Sequence, residues 1–189
     1  VAWGFNPEGG SKNFNFSTRE SHSDLHEYLR LTRSRTRPHD GFFLRAESFF
    51  NVATDIDRLN EVSPLIHRYG GKSLHEQSHG ESFMALMLYR LGGQGLYILD
   101  EPEAALSTSR QLAVLRRIHQ LVRNYSQFII ATHSPILMAY PGAKIISLGP
   151  QGFTEVRYEE TEHYAVTKKF LNNTGKMLED LLSDDEPDS

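Results

Sequence analysis

The most constraining feature of this chain is the segment GLYILDEPEAAL, residues 95–106, in which a short aliphatic run passes directly into Asp100, Glu101 and Pro102. Such a run, bounded by turn signals, predicts a buried strand over 96–99. In an open parallel sheet, ligands bind beyond the carboxyl ends of the strands, which is where this strand delivers two adjacent carboxylates. Neighbouring residues at a strand end point to different sides, so Asp100 suits a hydrated Mg2+ ion while Glu101 suits orienting or deprotonating a water. The segment SQFIIATHSP, residues 126–135, repeats the design. A strand over 128–131 presents Thr132, His133 and Ser134, and Pro135 starts a helix.

The rest of the chain reads as layers around these strands. A loop is expected over 9–21, and a short helix capped by Ser23 and Asp24 through Leu25, Tyr28, Leu29 and Leu31. A strand follows over 41–45 (GFFLR), ending at Ala46, Glu47 and Ser48, then a helix over 52–59 and a connection over 63–71 closed by Gly70 and Gly71. Phe83, Met84, Leu86, Met87, Leu88 and Leu91 form an apolar helical face that opens immediately after Gly80 and stops before Gly92 and Gly93. A helix over 109–122 separates the two chemistry-bearing strands, and a further strand is predicted over 144–148. Strands separated by helices of this length imply parallel pairing through crossovers, hence an α/β domain. Residues 154–158, after a turn over 149–152, read as an antiparallel edge hairpin and 162–182 as helix interrupted near 172–175. The tail SDDEPDS reads as disordered, and no internal repeat is present.

Composition removes several function classes. With 24 acidic and 20 basic residues among 189, the net charge of −4 offers no global attraction for nucleic acid or lipid headgroups. The one concentrated positive patch, Arg30, Arg33, Arg35 and Arg37, reads first as a solvated loop and second as a phosphate or DNA-backbone contact. The absence of cysteine excludes thiolate metal sites and a disulfide framework. No apolar run approaches the ~20 residues of a membrane helix, and the first ten residues carry no basic region followed by a hydrophobic core. Cytoplasmic localisation is the default expectation.

A third segment, LHEQSHGES over 74–82, places Gly80 and its neighbouring amides at the start of the Phe83 helix, a candidate anion site to which Ser78 adds a hydroxyl.

Together the three segments resemble the ATP-binding-cassette (ABC) class of P-loop ATPases, specifically the AAA-family ATPases related to DNA-repair and chromosome-structure ATPases. In that resemblance 97–101 is the Walker B strand, 103–107 the D-loop and His133 the switch histidine. QSHGE, 77–81, stands at the LSGGQ-type signature. The resemblance implies a P-loop NTPase-like, three-layer α/β domain with a mostly parallel sheet, spanning 1–171, followed by a C-terminal helix and acidic tail over 172–189. It also implies ATP and Mg2+ as cofactors and an ATP-sandwiched homodimer. Glu101 would be the base, Asp100 the Mg2+ ligand through water, and His133 the terminal-phosphate sensor. Ser78, Gly80 and Glu81 would meet the nucleotide held by the partner, and Glu47 stands where the family usually has a Gln that couples the metal to the rest of the molecule. A separately encoded effector and a nucleic-acid contact belong to the same set of expectations, and a membrane contact does not.

The sequence departs from the pattern in three further places. His79 stands where glycine is usual and Glu81 where glutamine is common. No GxxxxGK[ST] occurs: GGKS at 70–73 lacks the first glycine and a preceding strand. The family's P-loop comes first, so residues 1–4 read as the tail of its helix and the domain as N-terminally incomplete. The expectation is an ATPase in the complete parent and an inactive chain when alone.

Two rival readings come from other classes. HEQSH, 75–79, matches the zinc-peptidase pattern HExxH, although glycines bracket it closely and leave little helix to anchor a metal. A non-catalytic dimerisation or scaffold module is the other. His22 and His26 share i,i+4 spacing on what reads as a solvated helix face, and the 41–71 stretch holds no long heptad run for a coiled-coil arm.

Overall fold

A computed structural model describes residues 2–7, 9–11, 24–33, 35–62, 64, 66–150 and 152–183. The expectations for most of the 9–21 loop, for His22 and Ser23, and for the tail beyond Ser183 lie outside the described residues. The chain divides into two units, Val1–Thr132 and His133–Ser189.

In the first unit the aliphatic runs become strands β1 (Asp40–Arg45), β2 (Gly95–Asp100) and β3 (Gln127–Ala131). They form a three-stranded parallel sheet in the order β1-β2-β3, so the strand that carries Asp100 lies in the middle. Helices α1 (Phe49–Val62), α2 (His79–Ala85) and α3 (Thr108–Arg123) make the connections, and α2 runs on into a π-helical turn over Leu86–Arg90. Phe49, Val52, Ala53 and Ile56 of α1 recur at i, i+3, i+4 and i+7, and all four are buried. Val114, Ile118 and Leu121 give α3 the same kind of stripe. These stripes join Phe42, Leu44, Tyr97, Leu99, Phe83, Leu86 and Met87 in the core. Truncating one of them, as in Leu44→Ala, costs about 2–5 kcal/mol because the cavity left behind relaxes only in part.

Three local expectations change. The helix expected through Leu31 is a single 3-10 turn, Asp24–Glu27, and Leu25, Tyr28, Leu29 and Leu31 are all exposed. With no face buried, nothing offsets the entropy of propagating the helix. Helix α2 opens before Gly80, with Ser78 as its N-cap. The predicted 144–148 strand does not extend the parallel sheet.

In the second unit that strand, β4 (Ile145–Gly149), pairs antiparallel with β5 (Gly152–Val156) in a two-stranded sheet. Gly149 and Gly152 face each other across the turn, Gly152 with φ +94. Pairing across so short a connection carries far less loop-closure entropy than a crossover, which decides the partner. Helices α4 (Pro135–Met138), α5 (Glu162–Asn172) and α6 (Thr174–Leu182) complete this unit, with the expected interruption at Asn173.

A polar network closes the amino end of the parallel sheet. Arg90 Nη1, at the end of the π-helical turn, donates to both carboxylate oxygens of Asp40 at 3.0 and 2.8 Å. The Tyr97 hydroxyl donates to Asp40 Oδ2 at 3.0 Å and accepts from the Gly93 amide at 3.2 Å. Burial alone pushes the Asp40 carboxyl up, but the bonds and charge of Arg90 outweigh it and hold the group below its ordinary value. Arg117 of α3 donates to the carbonyls of Met87, Leu88 and Leu91, satisfying acceptors that the π-helical turn leaves open.

Candidate functional site

At the carboxyl end of the sheet the three strands finish level. Arg45 is the register partner of Asp100, and Asp100 that of Ala131. The ladder runs one residue further, with the Ala46 amide donating to the Asp100 carbonyl at 3.2 Å and the Glu101 amide to the Ala131 carbonyl at 2.9 Å. Glu101 then turns the chain with φ 49 and ψ 51, a left-handed conformation that costs a residue with a Cβ about 1–2 kcal/mol. Pro102 follows at the first position of a 3-10 turn over Pro102–Ala105. The reversal ends strand alternation at Glu101, so Asp100 and Glu101 separate by a backbone turn and not by the pleat.

Arg45 is the residue that sequence reasoning missed. Its Nε lies 3.3 Å from Asp100 Oδ2, and its Nη2 3.0 Å from Glu47 Oε2. One guanidinium thus ties together two of the predicted site carboxylates. Only the register of β1 against β2 brings Arg45 to Asp100, and the sequence does not print a register. Glu103 is also fixed: the Thr132 hydroxyl, just past β3, donates to its Oε2 at 2.7 Å. The side chains presented at these strand ends are hard oxygen donors, apart from Arg45. That chemistry suits Mg2+, which keeps several of its waters and takes one or two carboxylates together with phosphate oxygens. A cation at Asp100 would have to take the place of Arg45.

The 74–82 segment is two elements. Ser73 caps a 3-10 turn over Leu74–Glu76, the chain extends at Gln77, and α2 starts at His79. His75 and His79 therefore share no helical face. His75 Nε2 lies 3.0 Å from the Thr54 hydroxyl with its ring edge-on to Phe50, and the His79 ring packs edge-on against Phe49. These contacts make the histidines part of the packing on α1, and among the described residues no group of three or more His, Asp or Glu side chains is arranged to hold a metal.

The Ser78 amide and hydroxyl both donate to Glu81 Oε2, at 3.0 and 2.6 Å. Those bonds, the hydroxyl first, hold the exposed Glu81 carboxyl below its usual range, with the charges of Arg110 and Lys72 adding to the effect. Arg110 of α3 lies 3.8 Å from Glu81 Oε1. A Cβ on Gly80 would stand 2.7 Å from the Ala105 carbonyl oxygen, so only glycine fits where the start of α2 approaches the Pro102–Ala105 turn.

In the second unit, His133 immediately precedes Ser134, the N-cap of α4, which accepts from the amides of Ile136 and Leu137 at 3.2 and 3.3 Å. His133 Nδ1 lies 3.0 Å from Nε2 of His163, the second residue of α5. His163 carried no signal in the sequence. Arg30, Arg33, Arg35 and Arg37 are exposed, with the Arg33 guanidinium 4.6 Å from the centre of the Trp3 ring.

Residues 9–139 match the family described as "AAA domain, putative AbiEii toxin, Type IV TA system". The chain belongs to this AAA family. The match covers all three strands of the parallel sheet, Asp100, Glu101 and His133. An AAA domain is a nucleotide-binding, ATPase-like module, and its P-loop NTPase-like α/β character agrees with the parallel sheet. No curated protein and no solved structure matches the chain. Among the described residues no helix is long and apolar enough to cross a membrane.

Proposed function

We propose that this AAA domain hydrolyses ATP as an ABC-class ATPase of the kind related to DNA-repair and chromosome-structure ATPases, working as an ATP-sandwiched homodimer in the cytoplasm. The ATPase domain takes in 1–171, and 172–189 is an appended helix and acidic tail. The observation that carries the reading is the end of β2, where the central strand of a parallel sheet delivers Asp100 and Glu101 together and Glu101 is held in a costly backbone conformation.

Each residue then has a task. Asp100 would hold Mg2+ through water, and the ion would supply positive charge to offset the negative charge that develops on the transferred phosphoryl group. Glu101 orients the attacking water and accepts its proton. Ser78 and the Gly80 amide of one subunit donate to the terminal phosphate bound by the other, and Ser78 must first leave Glu81. Glu81 sets how readily that exchange occurs, His133 donates to the same phosphate, and Glu47 links the metal region to Arg45. The sequence holds no GxxxxGK[ST], so the main phosphate cradle lies outside it in this reading. The family description names a toxin of a type IV toxin–antitoxin system, and this extends to the chain only as far as a separately encoded effector. The Arg30–Arg37 cluster is the place for a nucleic-acid contact.

The test is Mg-ATP hydrolysis by the chain alone and by the chain joined to an upstream P-loop segment, each with Glu101→Gln as control. Activity that requires the segment and disappears with Glu101→Gln is expected. A non-catalytic dimerisation module is the second reading, favoured because Arg45 neutralises Asp100 and Glu81 occupies Ser78. Dimers that form equally well with and without Mg-ATP, in a joined protein without turnover, would bring it forward.

A further inference from the structure

We propose that His163 is a positioning residue for His133, fixing its tautomer so that Nε2 carries the proton. The observation is the 3.0 Å approach of His133 Nδ1 to His163 Nε2, with ring centres 5.1 Å apart and planes tilted by 43°. Two neutral imidazoles at this separation share one hydrogen, so the nitrogen that donates on one ring dictates the proton's place on the other.

The surroundings choose between the two arrangements. His163 sits in the first turn of α5, an eleven-residue helix whose N-cap, Thr161, is buried, accepts from the Tyr164 amide at 3.4 Å and donates to the Tyr158 carbonyl at 2.7 Å. The first turn of a helix carries unpaired amides and the positive end of the macrodipole. A bare, accepting Nδ1 on His163 is favoured there over a protonated one. A neutral His163 with bare Nδ1 carries its proton on Nε2, the atom facing His133, and donates it. His133 Nδ1 then accepts, and its proton resides on Nε2. A phosphate oxygen only accepts, so this is the tautomer in which His133 offers a phosphate a donor. That last step rests on the ATPase reading above, whereas the pairing of the two rings does not.

The test is long-range 1H–15N correlation of the imidazole nitrogens in the full chain at pH 8. In the wild type, His133 should show the Nε2–H tautomer. His163→Gln, whose amide can still donate, should keep it. His163→Ala should lower the Nε2–H to Nδ1–H ratio by about fivefold, the worth of one net hydrogen bond. His163→Glu, which only accepts, should move the His133 proton to Nδ1. Circular dichroism identifies any variant that fails to fold, and the Gln and Glu pair, alike in shape, then decides. An unchanged His133 tautomer in a folded His163→Glu variant would overturn the proposal. Adding Mg-ATP to the P-loop-joined wild type separates the two readings: no response at His133 Nε2, with the tautomer shifts intact, would count against the phosphate role and leave the positioning of His133 by His163 standing.

Discussion

Strand β1 begins and ends with an ion pair, and the two differ in their surroundings. At its start, Asp40 receives both bonds from Arg90 and one from Tyr97, with side chains only 26% and 17% exposed for Asp40 and Arg90. At its end, Arg45 reaches Asp100 by one 3.3 Å contact, and Glu47, on its other side, is 77% exposed. The first pair is held by several bonds and is the less exposed of the two, which leaves a competitor little to gain. The second is open and held by single contacts, so a stronger ligand can take either carboxylate. Charge pairs of the same composition, at opposite ends of one six-residue strand, thus differ in kind: one is tied into the sheet by several bonds and the other stands open at the candidate site.

The largest effect should come from the open end. In the P-loop-joined protein, Glu101→Gln should lower turnover by about 10²–10⁴-fold, the usual worth of a positioned general base, while ATP binding persists and the dimer accumulates. A variant turning over at the parental rate would remove Glu101 from the mechanism. Next is the closed end. Arg90→Ala leaves the Asp40 charge without its main partner and should cost about 3 kcal/mol in urea unfolding. Asp40 also gives this end a pH signature. Its folded pKa is depressed, so its contribution to stability is complete above the ordinary carboxylate range and is lost as pH falls through that range and below it. Asp40→Asn should flatten that part of the stability profile, and a profile that keeps its acid limb would assign the loss to other carboxylates.

Smaller effects sharpen the contrast. Glu101→Gly should raise stability by about 0.5–1 kcal/mol, net of the freedom glycine adds to the unfolded chain, and lift Tm by about 2 °C. A fall in Tm would mean that contacts of the Glu101 side chain outweigh the strain of its backbone. Arg45→Ala should change stability least, by about 0.5 kcal/mol, as exposed pairs do. It should also tighten binding of Mn2+, used as a paramagnetic substitute for Mg2+, because the competing cation at Asp100 is gone. A loss as large as that of Arg90→Ala would make the two ends equivalent and dissolve the comparison.

Much of this was legible in the sequence, because burial writes itself into strands and helices. The runs GFFLR, LYIL and FIIA, each closed by turn residues, became the three parallel strands, and the Gly92–Gly93 stop ended the helix that precedes β2. The candidate carboxylates lie where the aliphatic run of β2 ends. The start of α2 was misplaced although its signal was present: Ser78 followed three residues later by Glu81 is a capping-box pattern, and it outranks the glycine between them. The hairpin across 149–152 was legible in its turn residues, but that IISLG would leave the parallel sheet for it was not, since the run reads the same for a crossover strand as for a hairpin strand, and loop entropy made the choice. Arg45 and His163 were invisible for a common reason. Each acts through a partner 55 or 30 positions away, and only strand register or helix packing brings the partner within reach.

The π-helical turn over Leu86–Arg90 bears on how the gene can change. Each residue of an α-helix advances its side chains by about 100°, so a widened turn is in effect one residue accommodated without shifting the chain on either side of it. Deleting a single residue between Leu86 and Arg90 would return the turn to an ordinary α-helical one and leave the chain on either side in register, at the cost of carbonyl contacts that Arg117 makes there, whereas adding one would displace Arg90 from Asp40. This stretch should accept substitutions at Leu88 and Tyr89, which are exposed, and single deletions more readily than insertions. In a library of variants it would stand out as a place where point mutations are common, single deletions survive and insertions are missing.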